Sequence, residues 1–240
     1  LPDALYCIEP MKHGNISAWC PKNSGDKYGK TRTLKNALAN SVNTVSARIM
    51  DLVGPRPVIN LARKMGITSK LPLVPSIALG TPDISLFEMV GAYSTFVNQG
   101  IYVKPVIITR IEDKNGKVLY EAKPKKHKVL SESTASQMMD IMEGNTTRFD
   151  DNGKLIQGTG YRLRTRKPYG GYPMNVKISG KTGTTQSSSD GWYMGISNNI
   201  VTGVWVGCED RSAHFRNGAL GQGANMALPI WGYYMQDFVK

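Results

Sequence analysis

Two β-rich runs near the end of the chain constrain its fold more than any other feature. They cover residues 191–196 and 200–207, and the pair Asn198-Asn199 lies between them. A tight Asn pair between two such runs is typical of an antiparallel hairpin. Just upstream, residues 179–185 read Ser-Gly-Lys-Thr-Gly-Thr-Thr, and a short polar loop joins them to the hairpin. We therefore predict three consecutive antiparallel strands, with Lys181 on the first.

That first strand carries the triplet Lys181-Thr182-Gly183. Enzymes with an active-site serine place this triplet on a strand beside their nucleophile. An ammonium group and hydroxyls on an extended segment, with a glycine that lets a ligand lie close, form a site for a carboxylate. Because so short a string also arises by chance, its weight depends on the rest of the sequence.

A second motif, Ser41-Val42-Asn43, lies between two stretches predicted to be helical, Leu34–Ala39 and 45–52. A hydroxyl and a carboxamide two positions apart can both face a cleft when a short break exposes them. Serine and asparagine between helices are more often ordinary caps. The Lys-Thr-Gly strand shifts the balance toward a shared site.

With their surroundings, these motifs resemble the transpeptidase domain of class A penicillin-binding proteins. The matching segments follow the order of that family from about residue 19 to residue 231. They are residues 19–23, 28–29, 33–40, 78–80, 91–93, 98–102, 202–207 and 227–231.

The resemblance implies an α+β chain with the penicillin-binding, serine β-lactamase-like fold, in which an antiparallel sheet packs against helices beside a helical lobe. Residues 1–240 would form the C-terminal part of one such domain. Its predicted parts are a helical lobe at about 31–100, a small hairpin excursion at about 104–123, the catalytic-strand sheet at about 176–208 and a closing helix at about 225–239.

Local patterns predict further elements. A capping box at Ser85 and Glu88 begins an apolar helix that runs to about Asn98. Helices are also predicted over 57–65 and 133–143, and Asn115-Gly116 predicts a hairpin between 106–113 and 117–122. In the closing helix, the expected core contacts are Leu228, Trp231, Met235 and Phe238.

The family's nucleophile is the serine of a Ser-x-x-Lys motif at the start of a buried helix, upstream of Ser-x-Asn. The one such string here, Ser24-Gly25-Asp26-Lys27, reads as a turn because of its Gly and Asp. We therefore expect a fragment that begins after the nucleophile. The missing segment is expected as a separate chain, or the lobes are expected to close over the gap that it leaves.

The resemblance also implies roles. Ser41 and Lys181 would pass protons between the missing serine and the leaving group, and Asn43 would bind the amide of the donor peptide. Thr182 and Thr184 would hold the substrate carboxylate, and the Thr184 N–H would be one oxyanion donor. Ser41 and Lys181 should therefore lie within proton-relay reach, with Asn43 and Thr184 on the cleft walls. The predicted catalytic residues are Ser41, Asn43 and Lys181, and the predicted substrate-binding residues are Thr182, Gly183, Thr184 and Thr185.

The implied activity is D,D-transpeptidation, which cross-links peptidoglycan stem peptides by acyl transfer from D-Ala-D-Ala, without cofactor or metal. β-Lactam antibiotics would acylate the same serine. The parent protein would be membrane-anchored, with this domain in the periplasm on the outer face of the cytoplasmic membrane. A noncatalytic penicillin-binding-like module, or pseudoenzyme, stays open because the nucleophile is absent. A serine β-lactamase or antibiotic sensor is disfavoured because no residue marks a deacylating Glu.

The net charge of +12 invites a nucleic-acid partner, but neither basic cluster is interleaved with a stacking-aromatic or helix-turn-helix pattern. We therefore expect no nucleic acid, interpret the Lys cluster as solvated surface and leave the Arg cluster open. The clusters are Lys123, Lys125, Lys126 and Lys128, and Arg162, Arg164, Arg166 and Lys167.

The cysteines and histidines have no metal-ligand spacing. In an oxidising compartment Cys7 and Cys20 could pair, which would leave Cys208 as a small buried apolar residue. Three unpaired and largely buried thiols are the alternative.

Overall fold

A computed structural model describes residues 1–150, 152–165 and 174–238 of the protein. Arg166 and Lys167 of the Arg cluster, Asp151 and residue 239 of the predicted closing helix lie outside the described residues. The helices are α1 (Leu34–Ala39), α2 (Asn43–Val53), α3 (Pro55–Lys64), α4 (Leu86–Val97), α5 (Glu132–Glu143), α6 (Gly218–Gly221) and α7 (Ala227–Gln236). The strands are β1 (Ile101–Val103), β2 (Arg110–Glu112), β3 (Val118–Glu121), β4 (Lys126–Lys128), β5 (Ser179–Thr184), β6 (Asp190–Ser197) and β7 (Ile200–Gly207).

The predicted three-stranded unit is confirmed. Strands β5, β6 and β7 form one antiparallel sheet in that order, and Lys181 of β5 lies opposite Met194 of β6. Asn198 and Asn199 join β6 to β7 with φ values of 47° and 64°. Two consecutive residues with positive φ give a turn whose twist matches that of the strands, which explains why an Asn pair marks this hairpin.

Helices cover both faces of this sheet. On one face, Trp231 of α7 is fully buried and donates from its indole nitrogen to the Thr202 carbonyl. Its ring packs edge-on against Tyr193 with 5.1 Å between centroids. On the other face, α4 approaches β7, where a Cβ at Gly203 would lie 2.7 Å from the Leu86 side chain. The main core therefore lies between the sheet and α7.

Two burial predictions at this end of the chain are wrong. Leu228, Trp231 and Met235 are fully buried as predicted, but Phe238 is half exposed because it follows the end of α7 at Gln236 and stacks on Tyr234. Cys208 is exposed rather than buried, because it follows the last residue of β7.

The helical predictions are confirmed with small shifts of their ends. Ser85 accepts from the Glu88 N–H, and the Glu88 side chain accepts from the Ser85 N–H, so the capping box begins α4 as expected. Helix α3 begins two residues earlier than predicted, with Pro55 at its first position, and Gly66 with φ 91° follows its end. Helix α5 begins one residue earlier than expected.

The hairpin at Asn115-Gly116 is also confirmed, although its strands are shorter than predicted. Strand β2 pairs with β3 in a separate two-stranded sheet, and β1 pairs with β4 in another. The Asp113 carboxylate accepts from the Asn115 and Lys117 N–H groups and so closes the turn.

The N-terminal segment is held against the start of α2. The fully buried Asp3 carboxylate accepts from Arg32 Nε and Asn23 Nδ2, both at 2.6 Å, and from Thr44 Oγ1 at 2.9 Å. Burial alone would raise the pKa of Asp3, but these hydrogen bonds outweigh it and the net pKa lies below the ordinary value. Cys7 and Cys20 form a disulfide within this segment, so the alternative of three unpaired thiols is wrong.

The basic clusters differ from each other. The residues of the Lys cluster are all exposed, in agreement with a solvated surface. In the Arg cluster, the Arg164 guanidinium points inward and donates to the carbonyls of Met174 and Val176 and to Thr146 Oγ1. Arg164 therefore holds the chain together rather than presenting charge to a partner. Within the described residues, none of the helices has the length and apolar character needed to cross a bilayer.

Candidate active site

Ser41 occupies a strained turn between α1 and α2. The Ser41 N–H donates to the Leu38 carbonyl and the Val42 N–H donates to the Ala37 carbonyl, which is the pairing of a Schellman helix end. The residue after the cap of such an end adopts the left-handed conformation and is usually glycine; here it is Ser41, with φ 54°. A serine is therefore kept where glycine is the favoured residue, and its side chain is exposed.

Lys181 of β5 reaches this turn. Its Nζ donates to Ser41 Oγ at 2.9 Å and to the Thr182 carbonyl at 2.6 Å. Removal from water lowers the pKa of the Lys181 ammonium to about 8. The geometric prediction for this pair is confirmed: the two side chains meet within direct hydrogen-bond reach.

Asn43, the first residue of α2, follows Ser41 by two positions. Its Nδ2 donates to the Lys22 carbonyl at 2.7 Å, while Asn23 Oδ1 accepts from the Thr44 N–H. Residues 22–23 thus cap α2 from outside the helix and orient the Asn43 carboxamide. The nearby string Ser24-Gly25-Asp26-Lys27 is an exposed turn with φ 67° at Gly25, as predicted.

Strand alternation divides the Lys-Thr-Gly residues between the two sides of β5. Lys181 lies on one side, and Thr182 and Thr184 lie on the other, because successive side chains of a strand point in opposite directions. Among the described residues β5 has a partner strand on one edge only, so its other edge is open. A ligand lying along that edge can contact side chains from both faces of the strand.

The groups around Thr184 suit an anionic ligand at this edge. Thr184 Oγ1 accepts from the Gly223 N–H at 2.9 Å, which leaves the hydroxyl proton able to donate. The Thr185 N–H donates to the Asp190 carbonyl of β6, so the N–H of Thr184 points away from β6 and toward the open edge. The Thr185 hydroxyl accepts from the Asp190 N–H.

Sequence reasoning missed a polar chain behind β5. Thr182 Oγ1 is 2.7 Å from Thr159 Oγ1, which accepts from Asn145 Nδ2 at 2.8 Å. The Thr159 N–H donates to the Ala39 carbonyl, just before the Ser41 turn. Asn145 is fully buried, and a Cβ at Gly160 would come within 2.2 Å of its Oδ1. The string Gly-Thr-Gly at 158–160 is the one signal that could have marked this contact.

No group of His, Cys, Asp and Glu in the described parts of the chain is arranged to hold a metal ion. The polar groups gathered here are an amine, hydroxyls, an amide and backbone N–H groups. Such groups are chemically able to bind a carboxylate and to exchange protons.

Comparison with known proteins identifies the family of the chain. The penicillin binding protein transpeptidase domain family matches residues 2–210 of the chain. Penicillin-binding protein 1A of Aquifex aeolicus is 34% identical over 218 residues, and that of Neisseria meningitidis is 31% identical over 233 residues. These alignments cover 91% and 96% of this chain but 27% of each relative, so the chain spans about a quarter of their length.

Solved structures share the fold. Penicillin-binding protein 1A from Haemophilus influenzae superposes with a TM-score of 0.84 at 25% identity, covering 100% of this chain and 38% of that one. The PonA1 protein from Mycobacterium tuberculosis, in complex with penicillin V, superposes with a TM-score of 0.75 at 23% identity, covering 97% of this chain and 62% of that one. The chain therefore belongs to the transpeptidase domain family of the penicillin-binding proteins, with the class A proteins as its relatives.

Proposed function

We propose that this chain supplies one side of the active site of a serine D,D-transpeptidase, which cross-links peptidoglycan stem peptides by acyl transfer from D-Ala-D-Ala. The observation that carries the proposal is the 2.9 Å contact between Lys181 Nζ and Ser41 Oγ. In this proposal the nucleophile is a serine outside residues 1–240. The parent protein is membrane-anchored and works in the periplasm, on the outer face of the cytoplasmic membrane.

Proton transfer is the first task of the pair. A lysine with a pKa of about 8 exchanges protons readily near neutral pH. Because its ammonium donates to Ser41 Oγ, the Ser41 proton is directed away from Lys181 and can pass to the leaving amine. Lys181 then replaces the proton that Ser41 has given up. The strained turn at Ser41 holds the hydroxyl in place for this relay.

Recognition of the donor peptide is the second task. The Lys181 ammonium and the Thr184 hydroxyl would bind the terminal carboxylate of D-Ala-D-Ala, and the Thr184 N–H would donate to the developing oxyanion. Asn43 would bind the donor amide, and Gly183 would let the substrate lie close to β5. Thr182 would hold the carboxylate together with Thr184, and Thr185 would also bind substrate, with the Thr182 and Thr185 hydroxyls positioned by their bonds to Thr159 and to Asp190.

β-Lactams would react at the same site as substrate mimics. The relative described in complex with penicillin V supports this, since that protein shares the fold. The alternative is a noncatalytic penicillin-binding-like module in which the same contacts hold the fold together without turnover.

Labelling with fluorescent penicillin tests the proposal. The full-length protein should become covalently labelled, and Lys181→Ala should slow the labelling by about 10²- to 10⁴-fold, the usual worth of general acid–base catalysis. The exposed Lys177→Ala, four residues upstream, is the matched control and should label like the wild type.

Two results would contradict it. A full-length protein that is folded but never labelled would be a noncatalytic module. Peptide mapping that places the label on a residue within 1–240, for example Ser24 or Ser41, would refute a nucleophile outside this chain.

A further inference from the structure

The small hairpin β2–β3 carries apolar side chains that nothing covers in the described part of the chain. Every residue of both strands is exposed, including Ile111 and the run Val118, Leu119 and Tyr120. An isolated two-stranded hairpin is marginally stable in water and normally needs a packing partner. Apolar surface of this kind, when it is contiguous, marks an interaction site.

The hairpin forms one wall of a groove of about 570 Å³. The other side is formed by the extended segment that follows β1 and by the first turn of α4. Ile107 in this segment is 86% exposed and Ile108 is 54% exposed, although both are isoleucines. The apolar lining is made by Phe87, Val106, Ile107, Ile108, Ile111 and Tyr120. A volume of this size holds several side chains.

The rim of the groove is positively charged. Lys104, Lys123 and Lys125 lie on it, and all three are exposed. The acidic residues of the hairpin offset them only in part: Glu112 forms an ion pair with Arg110, and Glu121 is the cross-strand neighbour of the same arginine, so one carboxylate is left against three lysines. A ligand in the groove therefore meets net positive charge beside an apolar surface.

We propose that this groove, defined by the lining and rim residues above, docks an acidic extended segment of a partner protein. The segment would alternate apolar side chains, which enter the groove, with Asp or Glu, which face the lysines. The two-stranded sheet β2–β3 has unpaired outer edges among the described residues, so such a segment can add as a further strand. The proposal is independent of the transpeptidase activity.

Charge and shape select this occupant over two others. A second copy of the chain would bring its own lysine rim and a net charge of +12 toward this one, so self-association through the groove is repelled. A membrane surface has no backbone groups that could pair with the open strand edges of β2–β3, whereas an extended peptide does. A charged, extended peptide therefore matches the apolar surface, the basic rim and the open sheet edges.

Fluorescence anisotropy with a labelled peptide of alternating valine and glutamate tests the proposal on this chain. We expect saturable binding that weakens with added salt. Lys123→Glu combined with Lys125→Glu, and separately Ile107→Ser combined with Ile108→Ser, should each weaken binding by about tenfold or more. The matched controls are Lys27→Glu and Ile16→Ser, which change an exposed lysine and an isoleucine that is 89% exposed outside the groove, and both should bind like the wild type.

Circular dichroism of each variant separates loss of the fold from loss of the site. Failure of the valine–glutamate peptide to bind the folded chain would overturn the proposal, as would equal binding of a valine–lysine or a serine–glutamate peptide. Binding that the groove variants leave unchanged would do the same. Groove-dependent binding of anionic phospholipid vesicles in place of the peptide, or a dimer that Ile107→Ser dissociates, would assign a different occupant and refute this one.

Discussion

At the scale of single residues, Ser41 has an unfavourable backbone conformation and also places its hydroxyl against Lys181. A left-handed conformation costs an L-residue roughly 1–2 kcal/mol compared with glycine. The end of α1 bears that cost at the residue whose hydroxyl meets Lys181. A helix end that needed only to stop would use glycine. The residue of this turn that departs from the preference for glycine at a helix end is therefore also a residue of the candidate site.

This strain predicts the stabilities of two variants. Ser41→Gly and Ser41→Ala both remove the hydroxyl, so the difference between their free energies of unfolding reports the backbone strain alone. Ser41→Gly should be more stable than Ser41→Ala by about 1 kcal/mol, because alanine keeps the strained φ. Urea denaturation of both variants measures this. Equal midpoints with equal slopes would mean that the turn carries no such strain.

The polar chain behind β5 predicts a second effect. Thr159→Val keeps the shape of the side chain but removes the oxygen that accepts from Nδ2 of the buried Asn145. The other polar atom of that side chain, Asn145 Oδ1, already has no hydrogen bond among the described residues. Loss of the acceptor should lower the free energy of unfolding by about 1–3 kcal/mol. Thr159→Ser, which keeps the hydroxyl, should retain most of the stability. If valine and serine behave alike in thermal unfolding, the hydroxyl is not structural.

At the scale of elements, local signals predicted helices and hairpins well and failed where burial depends on distant contacts. The capping box at Ser85 and the Asn198-Asn199 turn depend on neighbouring residues, and both are confirmed. Phe238 and Cys208 were misjudged because each lies just past the end of an element, where alternation or helical spacing no longer applies. Asn145 pairs with Thr159 through irregular backbone, which has no periodic pattern to detect.

Helix α4 depends on one carboxylate for more than its cap. Glu88 accepts from the N–H and hydroxyl groups of both Thr68 and Ser69 in addition to the Ser85 N–H. Burial tends to raise its pKa, but these hydrogen bonds outweigh that effect and hold the pKa of Glu88 far below its ordinary value. The charged form is therefore favoured in the folded state.

A pH profile follows from this shift. Because folding lowers the pKa of Glu88, the ionised carboxylate adds to the free energy of unfolding. This stabilisation is fully present above pH 4.5 and is lost as the pH falls toward the pKa of the folded state. Glu88→Gln should therefore be less stable than the wild type at neutral pH, and this difference in stability should become smaller as the pH is lowered. Thermal unfolding at a series of pH values measures it. A gap that is constant across the acid range would show that the charge of Glu88 is not the cause.

At the scale of the whole molecule, the N-terminal segment, the Ser-x-Asn turn and the sheet form one connected unit. Asp3 joins Arg32, Asn23 and Thr44 and so ties the first residues to α2. The α+β class and the sheet order could be predicted from sequence because motifs carried the resemblance. The division into lobe, excursion, sheet and closing helix stays a prediction, as do the roles of the site residues.

The Cys7–Cys20 disulfide closes a short loop in that N-terminal segment, with a sequence separation of 13. In the chain-entropy account, a loop of this size stabilises the folded state by about 3 kcal/mol. The double variant Cys7→Ser and Cys20→Ser should lose stability of that order, measured by urea unfolding without reductant. A wild-type chain whose stability is insensitive to reductant would contradict this expectation.

Exposure of Cys208 has a practical consequence for spectroscopy. Cys7 and Cys20 are held in the disulfide, so Cys208 is the one free thiol of the three, at the end of the strand next to β6. A maleimide dye or a nitroxide would therefore attach at a single known position within residues 1–240, without engineering. Such a reporter would follow the sheet of β5, β6 and β7 directly while ligands are titrated in.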